Sequence, residues 1–166
     1  SASATPSGLR SSRTQLPQHQ RPRGGPKQTA EVGQAKLPNS VHATIQATKV
    51  SFLGYAYPLL FPTNPFLEVA VADPRDIACM KVSAIAGRGT KRDFVDLYLC
   101  AKQYGLKEIL QLFYQKYAQT HYSGIHILKS LTFFGDAEKD PMPHMLVTLD
   151  WDTVKQFFLR ETPRLL

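Results

Sequence analysis

The chain has 166 residues, 43% of them hydrophobic, which is enough for one domain with a modest core. Its formal net charge of +7 is concentrated at one end: residues 1–40 carry six Lys/Arg against Glu31 alone, and residues 41–166 carry fourteen against twelve. Charge therefore does not call for nucleic acid as a partner of the larger part. No apolar run approaches the ~18 residues of a membrane span, and no charged-then-apolar start resembles a signal peptide. Cys79 and Cys100 form no CxxC and read as reduced core thiols of a cytoplasmic protein.

Residues 1–40 hold five Pro, four Gly, no aromatic residue and only four large aliphatics. Such a segment cannot bury enough apolar surface to offset its ordering entropy, so it reads as a disordered basic arm. Order is expected from Val41. Val41, Ala43 and Ile45 alternate with polar residues and KVSFLGY follows, which predicts a β-hairpin turning at positions 46–47. Three prolines make residues 57–65 an irregular connection, and LEVAV at 67–71 reads as a short strand. Asp73 then caps a helix with Pro74 at its first position, running to Ala86 before Gly87 and Gly89 break it.

Thr90 opens a second helix, with Asp93 placed three residues on for a capping box, and Gly105 closes it. The third, residues 106–118, is amphipathic, with Leu106, Ile109, Leu110, Phe113 and Tyr117 on one face. Ser123 caps a fourth running to Phe134, and a fifth spans 152–160 with Val154, Phe157 and Phe158 buried. A hairpin and a strand followed by a helical bundle define an α+β fold.

One stretch demands chemistry. On a wheel of 100° per residue from Ile77, the residues Ala84, Ile77, Ile85 and Ala78 make one apolar arc, and Lys81 and Arg88 fall in its middle. Burying two cations without partners would cost several kcal/mol each, so this face must meet carboxylates or a bound anion. One solution is a phosphate pocket. Lys81 would be its buried ammonium and Arg88 its planar fork, with backbone N–H groups of the Gly87 to Gly89 turn and the charges of Lys91 and Arg92 alongside. The other is a set of internal ion pairs from Lys81 and Arg88 to Asp93 and Asp96. Those two aspartates share one side of the second helix, where a carboxylate pair beside a lysine can bind Mg²⁺ or accept a nucleophile's proton. Asp93 is also explained by capping, and Asp96 by an i, i+4 pair with Arg92. Spacing alone leaves both solutions open. Asp150-Trp151-Asp152 is a literal D-x-D but precedes an amphipathic helix, so Asp150 reads as its cap. The five histidines lack metal spacing and read as surface or packing residues.

The run DIACMKVSAIAGRGTKRDFVDLYLCAKQYGL resembles the AbiEii/AbiGii-type nucleotidyltransferase toxin family through Asp76, Ile77, Lys81, Ala84, Ile85, Arg88, Arg92, Asp93, Phe94, Asp96, Leu97, Tyr98 and Leu99. TKVSFLGYAYPLL, HILKSLTFFGDAE and WDTVKQFF extend the likeness over residues 41–160. The resemblance implies a nucleotidyltransferase toxin of a toxin–antitoxin or phage-defence system, moving a nucleotidyl group from an NTP, with Mg²⁺, to an acceptor such as a tRNA end or a protein hydroxyl. A separately encoded cognate antitoxin would neutralise it. Lys81, with Arg88 and Arg92, would hold the nucleotide, and Asp93 and Asp96 would be the catalytic carboxylates.

The resemblance also implies an upstream Gly-Gly-Thr or Gly-Ser turn and a strand-borne D-x-D that grips the metals. Residues 1–40 contain Gly24-Gly25 and no aspartate. The expectation is a truncated toxin, inactive alone, in which residues 41–166 keep the second half of the fold. Two other readings stand beside it: a non-catalytic antitoxin-binding remnant, and an α+β packing module with an internal Lys/Arg–Asp network.

Overall fold

The structure, a computed structural model, describes residues 35–37, 40–45 and 47–166, so the first 34 residues of the expected arm lie outside it. The chain divides into two units between Gly54 and Tyr55. In the first, β2 (Ser40–Ile45) and β3 (Thr48–Leu53) pair antiparallel from Ile45 opposite Thr48 to Ser40 opposite Leu53. The turn falls at positions 46–47 as the alternation placed it, and Ala47 takes a φ of +64°, the left-handed conformation of two-residue hairpin loops. A third strand, β1 (Ala35–Leu37), pairs with β2 from Ala35 opposite His42 to Leu37 opposite Ser40. It lies inside the stretch read as an arm. Edge pairing satisfies backbone N–H and C=O groups without requiring a hydrophobic pattern, which is why the sequence does not announce it.

The second unit, Tyr55–Leu166, opens with a two-stranded ribbon, β4 (Asn64–Phe66) and β5 (Val69–Val71), where the sequence predicted an irregular connection and one strand. Its turn contains Leu67, which has a φ of +53° and is 89% exposed. Neither Leu67 nor Glu68 carries the Gly or Asn chemistry that normally marks such a turn. Pro65 is tolerated because a two-stranded ribbon leaves an outward edge.

Five helices follow: α1 (Pro74–Arg88), α2 (Lys91–Tyr104), α3 (Leu106–Lys116), α4 (Gly124–Leu131) and α5 (Trp151–Glu161). The α+β class holds. Local chemistry sets their starts as expected. Asp73 accepts from the Arg75 N–H at 2.9 Å, the Thr90–Asp93 capping box forms, Ser123 accepts from His126 N–H, and Asp150 accepts from Thr153 N–H at 2.8 Å. Three ends differ from the expectation by two residues or more, among them that of α3, which closes at Lys116 rather than at residue 118. α1 continues through Gly87 to Arg88, and α4 stops at Leu131, where the Thr132 N–H closes back on the Lys129 and Ser130 carbonyls. Gly89 is the glycine with a steric duty, since a Cβ there would lie 3.0 Å from Phe94 Cε2.

The core is built on Phe94, fully buried in α2, whose ring meets Phe134 at 5.1 Å, Phe158 at 5.5 Å and Trp151 at 5.9 Å between centroids. Ala78, Cys79, Val82 and Ile85 of α1 and Ile109 and Phe113 of α3 complete it. Inside this apolar packing sits an ion pair. Asp76 of α1 and Lys116 of α3, both with no exposed side-chain area, are 2.6 Å apart. Asp76 also accepts the N–H groups of Leu60 at 3.0 Å and Phe61 at 3.0 Å, and Lys116 donates to the Pro58 carbonyl at 2.7 Å. Arg75 lies 3.6 Å over the Phe61 ring. The segment from Pro58 to Phe61 is thus fixed to α1 and α3 by charge-assisted bonds.

Removing one partner of this pair leaves the other charge buried and uncompensated. Lys116→Met is therefore expected to destabilise the protein by about 3–5 kcal/mol in urea unfolding. Adding Asp76→Asn to it should recover part of that loss, because no charge then remains. A loss below about 1 kcal/mol for Lys116→Met, the range of exposed pairs, would contradict the clamp.

Candidate functional site

Packing of α1 on α2 brings one lysine between two aspartates. Lys81 Nζ lies 3.0 Å from Asp93 Oδ1 and 2.7 Å from Asp96 Oδ2. The three side chains are 22%, 15% and 39% exposed, so the cluster is anchored inside yet open to solvent on the Asp96 side. Each position follows from the sequence. Lys81 lies one turn past Ile77 on α1, and the Thr90 cap starts α2 so that Asp93 and Asp96 face back toward it.

The two aspartates are not equivalent. Asp93 has both oxygens engaged: Oδ1 by Lys81, and Oδ2 by the Thr90 hydroxyl at 2.6 Å and the Thr90 N–H at 3.3 Å. Burial raises its pKa, but the Thr90 and Lys81 hydrogen bonds outweigh that and hold it below the ordinary carboxylate value. Asp96 meets Lys81 through one oxygen and keeps the more exposed carboxylate. On Lys81, burial opposes the charge, and the bonds to Asp96 and Asp93 prevail to hold its ammonium above the usual lysine value.

The expected site residues therefore separate. Lys81, Asp93 and Asp96 come together as the internal ion-pair reading required. Arg88 does not join them: as the last residue of α1 it is exposed, and it lines a cleft against α4. The wheel misplaced it because α1 is apolar around most of its circumference, and the part that packs is the arc of Ala78, Val82 and Ile85. Arg92 is exposed in the first turn of α2. Lys91 is buried, its N–H donating to Asp140 at 3.0 Å and its ammonium 5.2 Å from the Trp151 ring.

The anion pocket expected at the start of α2 is filled from within. The Thr90 and Lys91 N–H groups already donate to Asp93 and Asp140, and the Gly89 N–H donates to the Ile85 carbonyl. Burial disfavours the thiolate at both cysteines. Burial pushes the Cys79 thiol up to about 11, and burial followed by the nearby Asp96 charge raises that of Cys100. Lys116 is the charged residue that went unread in the sequence. The signal was there: it sits between Phe113 and Tyr117 on the apolar face of α3, the same anomaly that exposed Lys81.

For Mg²⁺ the described residues do not fit. No group of three or more His, Cys, Asp or Glu among them could hold a metal ion, and Asp93 has no oxygen to spare. Among the described residues no helix is long and apolar enough to cross a membrane.

Comparison with known proteins brings these observations into one frame. The family model described as nucleotidyl transferase AbiEii toxin, type IV toxin–antitoxin system, matches residues 44–165, a span that includes Asp76, Lys81, Asp93, Asp96 and Lys116. An uncharacterized protein of Aquifex aeolicus (strain VF5) is 39% identical over 121 residues, covering 70% of this chain. The match spans 57% of that relative's own length. No solved structure matches.

The two shifts give the cluster a pH signature. The lowered Asp93 contributes stability above its unfolded pKa of about 3.9, and that contribution is lost as pH falls through the folded value. The raised Lys81 contributes below its unfolded value of about 10.4, and is lost as pH rises through the folded one. The melting-temperature difference between the wild type and Lys81→Met should therefore hold steady between about pH 5 and pH 10 and narrow on both sides. A difference that stays constant down to pH 2 would show that the Asp93 pair carries no linkage.

Proposed function

The chain belongs to the AbiEii nucleotidyl transferase toxin family of type IV toxin–antitoxin systems, and on that premise we propose that Lys81, Asp93 and Asp96 are the nucleotide-handling half of a nucleotidyltransferase site. The observation that carries this reading is the half-open Lys81 cluster within the family match. An ammonium needed only for packing could be fully enclosed, as Lys116 is. Lys81 instead keeps a solvent-facing side toward which a triphosphate can approach.

In this reading Lys81 binds the phosphates of an NTP, and Asp93, tied to Thr90 and Lys81, is the residue that aims the ammonium. Asp96 has the uncommitted oxygen. The acceptor hydroxyl attacks the α-phosphorus, the bond to pyrophosphate breaks, and the hydroxyl proton passes to Asp96. One lysine beside two carboxylates leaves an excess negative charge; among the described residues Arg92 pairs with neither aspartate, and its exposed guanidinium is available to the phosphates. The acceptor, a tRNA end or a protein hydroxyl, lies beyond these residues. The antitoxin is the family's partner, and Mg²⁺ its expected metal. Because the described residues lack a metal-ligand set, the half-site is expected to bind nucleotide more readily than to turn it over.

A second reading, in which the trio only fixes α1 against α2, is favoured by the two short ion pairs themselves. Partly exposed pairs contribute at most about 1 kcal/mol, so that role alone gives little reason for this arrangement. Calorimetric titration with NTP and Mg²⁺ separates the two. Lys81→Ala is expected to weaken binding at least tenfold with little loss of melting temperature, and Asp96→Asn should keep binding while removing any transfer of labelled nucleotide. Equal NTP affinity in wild type and Lys81→Ala would leave only the packing role.

A further inference from the structure

The cleft that Arg88 lines is a separate feature of the molecule. It encloses about 460 Å³ between the C-terminal end of α1 and the far end of α4, with Arg88, His126, Lys129 and Phe133 on its walls. Two helices end here, and their carbonyls would by themselves make this a poor place for an anion. Several carbonyls around the cleft are already engaged. Ala86 O accepts from His126 Nε2–H at 2.9 Å, Ile85 O from the Gly89 N–H, His126 O from the Ser130 hydroxyl at 2.8 Å, and Lys129 O from the Thr132 N–H and hydroxyl.

Beside these engaged carbonyls stand two cations. Among the described residues neither Arg88 nor Lys129 has an acidic side chain within salt-bridge distance. The one carboxylate lining the cleft, Asp136, is 3.2 Å from Lys139. The His126 ring is pinned through Nε2, which leaves Nδ1 as its free nitrogen. Phe133 is 65% exposed, and its ring lies over Gly135, where a Cβ would come within 2.8 Å of Phe133 Cζ. The glycine gives an exposed aromatic its resting place.

From this combination we propose that the α1–α4 cleft is a second ligand site, which takes a nucleotide phosphate between Arg88 and Lys129 with its base against Phe133. A planar guanidinium and an ammonium suit phosphate oxygens, and an aromatic face suits any base. The shared chemistry fits a free mononucleotide or one residue of a single strand. The site does not depend on the role of Lys81.

Fluorescence anisotropy with a short labelled oligouridylate at graded salt, with uridine monophosphate as competitor, tests it. The Arg88→Ala/Lys129→Ala double variant, altered only at exposed positions, is expected to bind at least tenfold more weakly, with the log–log salt slope reduced by about 1–2. Phe133→Ala should weaken binding and leave that slope in place. Displacement by the monophosphate identifies a mononucleotide site, and displacement only by longer oligonucleotides identifies a strand site. Lys81→Ala should bind as the wild type does. Undiminished affinity in the double variant, no binding at low salt, or loss of binding in Lys81→Ala would each overturn the proposal.

Discussion

A carboxylate and an ammonium sealed from solvent set the terms for the helical unit. Asp76 and Lys116 can stay charged inside an apolar core only because each finds further polar partners, and those partners are backbone groups of the segment leading into β4. The pair therefore fastens three pieces at once: α1, α3 and the segment from Pro58 to Phe61. It also orients α1. Lys81 lies five residues beyond Asp76, about 140° around the helix at 100° per residue. With Asp76 turned toward α3, Lys81 is turned toward α2.

Two lysines on apolar helical faces thus reach opposite ends. Lys116 is matched by one aspartate and a carbonyl and is wholly enclosed, a structural charge. Lys81 meets two aspartates, keeps contact with solvent, and sits within a motif that the family match covers. Asp93 joins the two levels of organisation, since one carboxylate caps α2 and holds the lysine. A local helix cap and an interhelical ion pair here share one carboxylate.

What could be read from the sequence was what short-range chemistry decides. The caps at Asp73, Thr90, Ser123 and Asp150 lie where they were expected, and the α3 stripe of Leu106, Ile109, Leu110, Phe113 and Tyr117 is buried throughout. What could not be read depends on partners distant in sequence. The β4–β5 ribbon turns through Leu67 without a turn residue, and β1 is held by backbone pairing. The partner of Asp76 lies 40 residues away on another helix. Arg88 misled the wheel because a helix that is apolar nearly all round does not reveal which arc will pack. The trio of Lys81, Asp93 and Asp96 was visible as a set of alternatives, and only the crossing of α1 and α2 shows that these ion pairs form.

The proposed nucleotide contact rests on Lys81, which the fold holds partly exposed between Asp93 and Asp96, with hydrogen bonds to both favouring its charged form. The most direct measurement is side-chain NMR of ¹⁵N-labelled lysine ammonium groups during titration with NTP and Mg²⁺, with the Lys81 signal assigned by its absence in Lys81→Arg. The expected result is a saturable shift of that signal as its partners change from Asp93 and Asp96 to phosphate oxygens, with the fully enclosed Lys116 unaffected. A Lys81 signal that stays in place at saturating nucleotide would contradict the assignment of this cluster to nucleotide binding.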